Sequence, residues 1–440
     1  MTAICLFEFG YDRFSSNPRT VYITVGYGSP ELAWPPVVRR LQEYLDQLGH
    51  DLHVLLEHNI MSQSAFPWFP RGLTQAEKCD KMRDFNYNSY ESYRTRVNAG
   101  DDIGAGRYLT RADGTQLPPL VGTLGCWLKV LEAGKGWKTL ALTSYDVVRP
   151  AVEGFEVGVN GQRSVLNDPV RGSLLWKADH EGLLPSDVNN DTCTLMEHPT
   201  RSQYDFTIEI MGDRLVQDPD DIDCRAQREE KIAFIEGDKQ YFGHIYLASG
   251  FNRCTDTNGR LNWALIDPVD VDERVGSYRL PEWRDWLRKY FDPDQPPFWT
   301  FGGTLKQQED SLHNWNRHPQ TERVFKVGAT TTCTVGEVGC VKMDCSLRED
   351  KYMMLPKSTE FMVMGIFGHR EDGEEGFGDR GDAGSVVWDK QGRALGLLGT
   401  EQTPQQCHYG YSLVTPIEGV FESIKAASEG VILDVQIAEP

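Results

Sequence analysis

The sequence predicts a mainly β protein that begins with a small α/β unit and closes with an amphipathic helix. Three observations predict it. From Val121 onward, short runs of β-branched and aromatic residues alternate with turn residues, the texture of an antiparallel β domain. Residues 20–58 read instead as strand, helix, strand. Ile417, Val420, Phe421 and Ile424 recur at i, i+3, i+4 and i+7, one face of a helix.

In the N-terminal unit residues 21–27 are a strand, and Pro35-Pro36 then open a helix. Its apolar positions are Val37, Val38, Leu41, Tyr44, Leu45 and Leu48, and Gly49 stops it. Residues 52–56 supply a second strand, parallel to the first through a right-handed crossover. This unit carries no phosphate loop, and His50, His53 and His58 belong to the strand and its flanks rather than to a metal site. The expected domain is residues 1–95. Residues 96–119, polar and rich in Gly and Asp, read as a linker.

The β domain is expected over residues 120–425, with a first hairpin closed by Gly134-Lys135-Gly136. Insertions fall near 182–232, where residues 224–235 look helical, and near 281–321. Trp283, Trp286, Leu287 and Tyr290 share one helical face in the second, an arrangement that suits packing on the protein's own core. Residues 426–440 read as a tail.

At 440 residues, with 40% hydrophobic and 25% charged, the chain has the composition of a globular protein. A net charge of −20 argues against nucleic acid and anionic lipid as partners, since phosphates would be repelled. No apolar run is long enough to span a membrane. Residues 1–14 lack the pattern of a secretory leader, so the ten cysteines are expected as free thiols in a reducing, cytoplasmic setting. Asn190-Asp191-Thr192 is then an incidental glycosylation sequon. Cys333, Cys340, Cys345 and Cys407-His408 lack the paired spacing of structural zinc, and no metal or other cofactor is expected.

The densest motif is Gly376-Phe377-Gly378-Asp379-Arg380-Gly381-Asp382-Ala383-Gly384-Ser385, a glycine-rich loop that runs into the strand Val386-Val387-Trp388. With Leu142-Thr143-Ser144-Tyr145-Asp146-Val147-Val148 and Leu261-Asn262-Trp263-Ala264-Leu265-Ile266, it resembles the three catalytic blocks of trypsin-like serine peptidases. Within that family it resembles in particular the large intracellular members encoded by filamentous fungi. The resemblance implies two six-stranded antiparallel β-barrels, a chymotrypsin-like double barrel, with the active cleft between them. Carried over position by position, the base falls on Asp146, the orienting acid on Asn262 and the nucleophile on Ala383. The oxyanion hole falls on the amides of Gly381 and Ala383, and the substrate pocket on Phe377. Asp382, which pairs with a freed amino terminus in secreted relatives, has no ready partner of that kind here.

A serine hydrolase needs a hydroxyl, an imidazole to take its proton and a carboxylate to orient that imidazole. None of the three positions carries its group. Ser385 enters a strand two residues on and does not return to the nucleophile's place. The expectation is therefore a catalytically inactive peptidase homologue that binds or regulates a protein or peptide in the inter-barrel cleft. One alternative is an active intracellular serine endopeptidase into which the three replacements have been introduced. Another is an interaction protein that works through its N-terminal α/β domain. Oligomeric state is not written in the sequence.

Overall fold

The computed structural model describes residues 3–8, 18–26, 29–59, 61–63, 93–110, 114, 116–119, 121–160, 163–166, 169–188, 194–256, 258–278, 303–304, 323–339, 342–345, 348–349, 353–354, 357–365, 377–379, 381–389, 392–402 and 411–438. β1 (Ala3–Glu8) and β2 (Arg19–Gly26) are antiparallel, and β3 (His53–Asn59) lies parallel to β2. α1 (Trp34–Gln47) is the crossover between them. Pro35 and Pro36 sit in its first turn, where no intrahelical N–H bond is lost. Only one side of its apolar face is used. Trp34, Val38, Leu41 and Leu45 are half-buried, whereas Val37, Tyr44 and Leu48 stay exposed. β4 (Met61–Gln63) follows.

Among the strands that follow, the first sheet takes β5 (Asp102–Ala105), β6 (Val121–Thr123), β7 (Cys126–Glu132) and β8 (Gly136–Thr143). The short helices α2 (Tyr145–Val148) and α3 (Leu174–Glu181) precede β9 (Leu195–Glu197). α4 (Arg201–Gln217) and α5 (Ile222–Glu236) form a hairpin before β10 (Tyr241–Ala248) and β11 (Ala264–Pro268). Then come β12 (Arg323–Gly328), β13 (Thr332–Val338), β14 (Met343–Cys345), β15 (Ser358–Gly365), β16 (Val386–Asp389), β17 (Arg393–Gln402) and β18 (Tyr411–Pro416). α6 (Ile417–Ala427) and β19 (Ile432–Ile437) complete the described chain.

Six of these strands close on themselves. The antiparallel pairs β12–β13, β13–β15, β15–β18, β18–β17, β17–β16 and β16–β12 form a barrel without free edges. Period-2 alternation fills it: Val324, Val338, Phe361, Val363, Val387, Leu395, Leu398 and Val414 make one buried cluster drawn from all six strands. Their neighbours Phe325, Val335, Trp388, Ala394 and Leu397 point the other way. They meet α6 and Cys126, Leu128, Val130, Leu140, Leu142 and Leu265 of the first half in a second cluster. The first half is an eight-stranded sheet in the order β19–β7–β8–β11–β10–β9–β5–β6, with no pairing between its two end strands among the described residues. Of the expected two closed barrels, one is seen, in the C-terminal half of a mainly β fold.

Three expected boundaries move. β1 pairs with β14, Ala3 opposite Cys345, so the N-terminal strands extend the barrel's own sheet rather than form a separate body. Residues 426–440 are not a tail, because β19 pairs along β7. Residues 96–119 are not a linker, because β5 lies inside the first sheet with Ile103 and Ala105 buried. The acidic residues that suggested a linker are compensated, Asp101 from nearby in the sequence and Asp102 at long range. Arg94 donates to both oxygens of Asp101 at 3.1 and 2.8 Å, and the Thr200 amide donates to Asp102 Oδ2 at 2.6 Å. His198 Nδ1 lies 3.2 Å from Asp102 Oδ1. Burial works against both charges there, but the contact between them outweighs it, lowering the Asp102 carboxyl and raising the His198 imidazole from their ordinary ranges. Of the segments marked by sequence motifs, Trp283, Trp286, Leu287, Tyr290, Cys340, Cys407, His408 and the Asn190 sequon lie outside the described residues.

Next to that cluster, burial pushes the Glu197 carboxyl from 4.5 up to about 6, only partly offset by Arg201 at 2.6 Å. A raised acid favours the folded state most when protonated. Its contribution is complete below the unfolded value of 4.5 and is lost as pH rises through about 6. Stability from urea titrations is expected to fall by about 2 kcal/mol across that window. Glu197→Gln should flatten the profile there, and a variant profile superimposing on the parent's would exclude this assignment.

Candidate functional site

β8 delivers Thr143 and Ser144 to the start of α2, which places Asp146 in its first turn. α2 is held from below. Arg149 donates Nε to Asp179 Oδ1 and Nη2 to Asp179 Oδ2, both at 2.8 Å, and the Tyr145 hydroxyl donates to Asp179 Oδ1 at 2.8 Å. All three side chains are essentially inaccessible. A buried ion pair this complete leaves little freedom to the turn that carries Asp146.

Asn262 precedes β11 and reaches Asp146 directly. Its Nδ2 donates to Asp146 Oδ2 at 2.6 Å, while its Oδ1 accepts the Asp146 amide at 3.2 Å. The Asn262 carbonyl accepts the Tyr145 amide at 3.3 Å. The pair is chemically matched: an aspartate at 262 would set two carboxylates against each other at that distance. Asp146 and Asn262 are 4% and 6% exposed.

The glycine-rich loop comes in from the barrel. Gly384 packs where a Cβ would stand 2.4 Å from Thr143 Oγ1 and 2.9 Å from the Ser144 amide, so residue 383 lies beside the segment that leads to Asp146. Two groups set the loop's course. Thr123, at the end of β6, donates its amide to the Ala383 carbonyl at 2.8 Å and its hydroxyl to the Gly381 carbonyl at 2.9 Å. Asp382 is engaged by the start of the barrel, at the β12–β13 turn and Lys326 of β12. There its Oδ1 accepts the amides of Thr330 and Thr331 at 3.0 and 3.2 Å. Its Oδ2 accepts the Asp379 amide at 2.9 Å and the Thr331 hydroxyl at 2.6 Å, and it pairs with Lys326 Nζ at 2.9 Å. Lys326 and Asp382 are both 0% exposed. The amides of Gly381 and Ala383 have no hydrogen-bond partner among the described residues. Two N–H donors two residues apart in one short loop suit a carbonyl oxygen or an oxyanion.

The structure therefore brings Asp146 and Asn262 into contact and sets the Ala383 loop against them. Phe377 is elsewhere. Its ring is 0% exposed within the barrel cluster, and the Thr334 hydroxyl donates to its carbonyl, so the side chain packs the barrel and lines no open pocket. Ser385 is fully buried and its hydroxyl donates to the Asp382 carbonyl at 2.6 Å, which leaves it engaged away from the site. Sequence reasoning missed Lys326 and Thr123. Lys326 was visible as a lone cation inside the apolar strand Val324-Phe325-Lys326-Val327, where burial demands an anionic partner. Thr123 left no comparable trace.

No protein-family model matches this chain, and no curated protein does. Among solved structures, similarity is found to a glutamic acid specific serine protease, at 10% identity and a TM-score of 0.34, covering 78% of this chain and 100% of that one. Protease A of Thermobifida fusca gives 9% identity and 0.33, over 78% and 100% of the two chains. The chymotrypsin of Cellulomonas bogoriensis gives 12% and 0.24, over 45% of this chain and 76% of that one. The chain is structurally similar to serine proteases at this low level, and the functional reading below rests on its own geometry. No helix among the described residues is long and apolar enough to cross a membrane.

Proposed function

We propose that this protein is a trypsin-like double-barrel homologue that has lost peptide-bond hydrolysis and acts by binding a polypeptide in the cleft between its halves. The observation that carries the reading is the Asp146–Asn262 pair, closed on itself at 2.6 Å beside a loop whose nucleophile position is Ala383. A carboxylate hydrogen-bonded to an amide orients no imidazole, and a methyl group attacks no carbonyl. In a serine hydrolase, loss of the nucleophile or base alone costs on the order of 10⁶ in rate. What remains useful is the pair of amides at Gly381 and Ala383, without a hydrogen-bond partner among the described residues, which can hold a main-chain carbonyl without cleaving it.

The match between Asp146 and Asn262 favours a site built as it stands over a working triad with single groups removed. Intracellular, fungal-type membership remains part of the same proposal, supported by the sequence blocks at 142–148, 261–266 and 381–385.

A randomised fluorogenic peptide library tests it. The chain is expected to release no fluorescence above the buffer rate while retaining labelled extended peptides on the immobilised protein. Steady turnover abolished by a serine-directed inhibitor would refute the proposal. Restoring Asp146→His, Asn262→Asp and Ala383→Ser together should raise turnover by at least about 10³-fold, since it returns the three missing groups to a loop that keeps two amides suited to an oxyanion.

A further inference from the structure

The site is shut in this structure, with Ala383 0% exposed beside the nearly buried Asp146 and Asn262. Its rim is formed by β17. A Cβ built on Gly399 would stand 3.6 Å from Asn262 Nδ2, and the strand then continues as Thr400, Glu401 and Gln402. On one edge these three residues pair with Leu413, Ser412 and Tyr411 of β18. On the other edge β16 is paired only as far as Leu397. The vacated edge is taken by β4, which comes from the other end of the sequence. Gln63 lies opposite Thr400, Ser62 opposite Glu401 and Met61 opposite Gln402, antiparallel.

A strand edge offers one row of amides and carbonyls, and only one strand can use it at a time. β4 is three residues long, and one residue separates it from β3. It is therefore short enough to be displaced, yet tethered closely enough to compete at high effective concentration.

We propose that β4 is an internal stand-in for an extended polypeptide ligand: it occupies the β17 edge beside Asn262 and must leave before such a ligand pairs with Thr400–Gln402. The ligand so defined is an extended segment that runs antiparallel to β17 and presents alternate side chains to the protein. The inference rests on the polypeptide-binding function proposed above.

Successive amides of a strand point to opposite sides, so either Ser62 or Gln63 donates to β17 in either register. The double substitution Ser62→Pro/Gln63→Pro removes that donor in the full chain. It is expected to speed amide hydrogen exchange over residues 398–402 and to tighten capture of a labelled, randomised extended-peptide library by about tenfold or more. The reverse variant, Ser62→Cys/Glu401→Cys, sits across the observed register, Ser62 opposite Glu401. Oxidised with diamide, it should capture no peptide, and reduction should restore capture. Equal capture by the parent, the proline form and the oxidised form overturns the competition and leaves the binding function standing. Unchanged exchange over 398–402 in the proline form also overturns it. Capture by none of the forms overturns the binding function and this inference together.

Discussion

Replacing Lys326 by methionine is expected to destabilise the protein by about 3–5 kcal/mol, the usual cost of stranding one member of a buried ion pair. Lys326 Nζ and Asp382 Oδ2 stand 2.9 Å apart with neither side chain exposed, so solvent cannot take the lysine's place. Asp382 would keep four hydrogen bonds, from Thr330, Thr331 and Asp379. It would lose the only positive charge that faces it among the described residues. Because Asp382 lies between Gly381 and Ala383, the loop carrying those two amides should loosen with it. Urea unfolding of the single variant and of Lys326→Met/Asp382→Asn checks this. The double variant should recover a large part of the loss, because it removes the stranded charge. A single variant within about 1 kcal/mol of the parent would show that the pair does not hold the loop.

Gly384→Ala is expected to cost about 2–5 kcal/mol by two separable routes. The residue has φ of 91°, a conformation that disfavours any side chain. In addition the new methyl would meet Thr143 Oγ1 at 2.4 Å and the Thr123 carbonyl at 2.5 Å, both from the first half. Gly172→Ala serves as the control. Its φ of 86° imposes the same strain, but nothing lies within 4 Å of the new atom. The control should lose about 1–2 kcal/mol. If both substitutions cost the same, the close approach of loop and first half is not what fixes residue 384. The excess at 384 should also show as a change in the environment of Thr123 and Thr143, readable by NMR of labelled threonine.

The strand texture after Val121 and the helix at Ile417–Ala427 were legible from side-chain periodicity alone, because one face of each is buried, and the parallel β2–β3 pairing from the handedness of the crossover. The three triad positions were legible only through resemblance, since aspartate, asparagine and alanine carry no motif of their own. Residues 96–119 misled because Asp101 and Asp102 look solvent-bound, whereas their partners Arg94, His198 and Thr200 come from other strands and turns. β19 was hidden for a different reason. Its buried Ile432, Val435 and Ile437 do not alternate strictly, because a register shift at Leu131/Glu132 skips a position. Phe377 was placed by counting along the loop, and only the six closed strands reveal that its ring belongs inside them.

That displaced pairing of β19 along β7 has a consequence for how the chain is made. During synthesis, the outer border of Leu128–Glu132 has no neighbour until the ribosome has passed through every strand of the barrel. Until then that hydrophobic hairpin is an unclosed seam, open to cotranslational chaperones and to mispairing with other nascent chains. Shortening the sequence from its C-terminal side should therefore harm the yield of folded protein more than the modest length of β19 suggests.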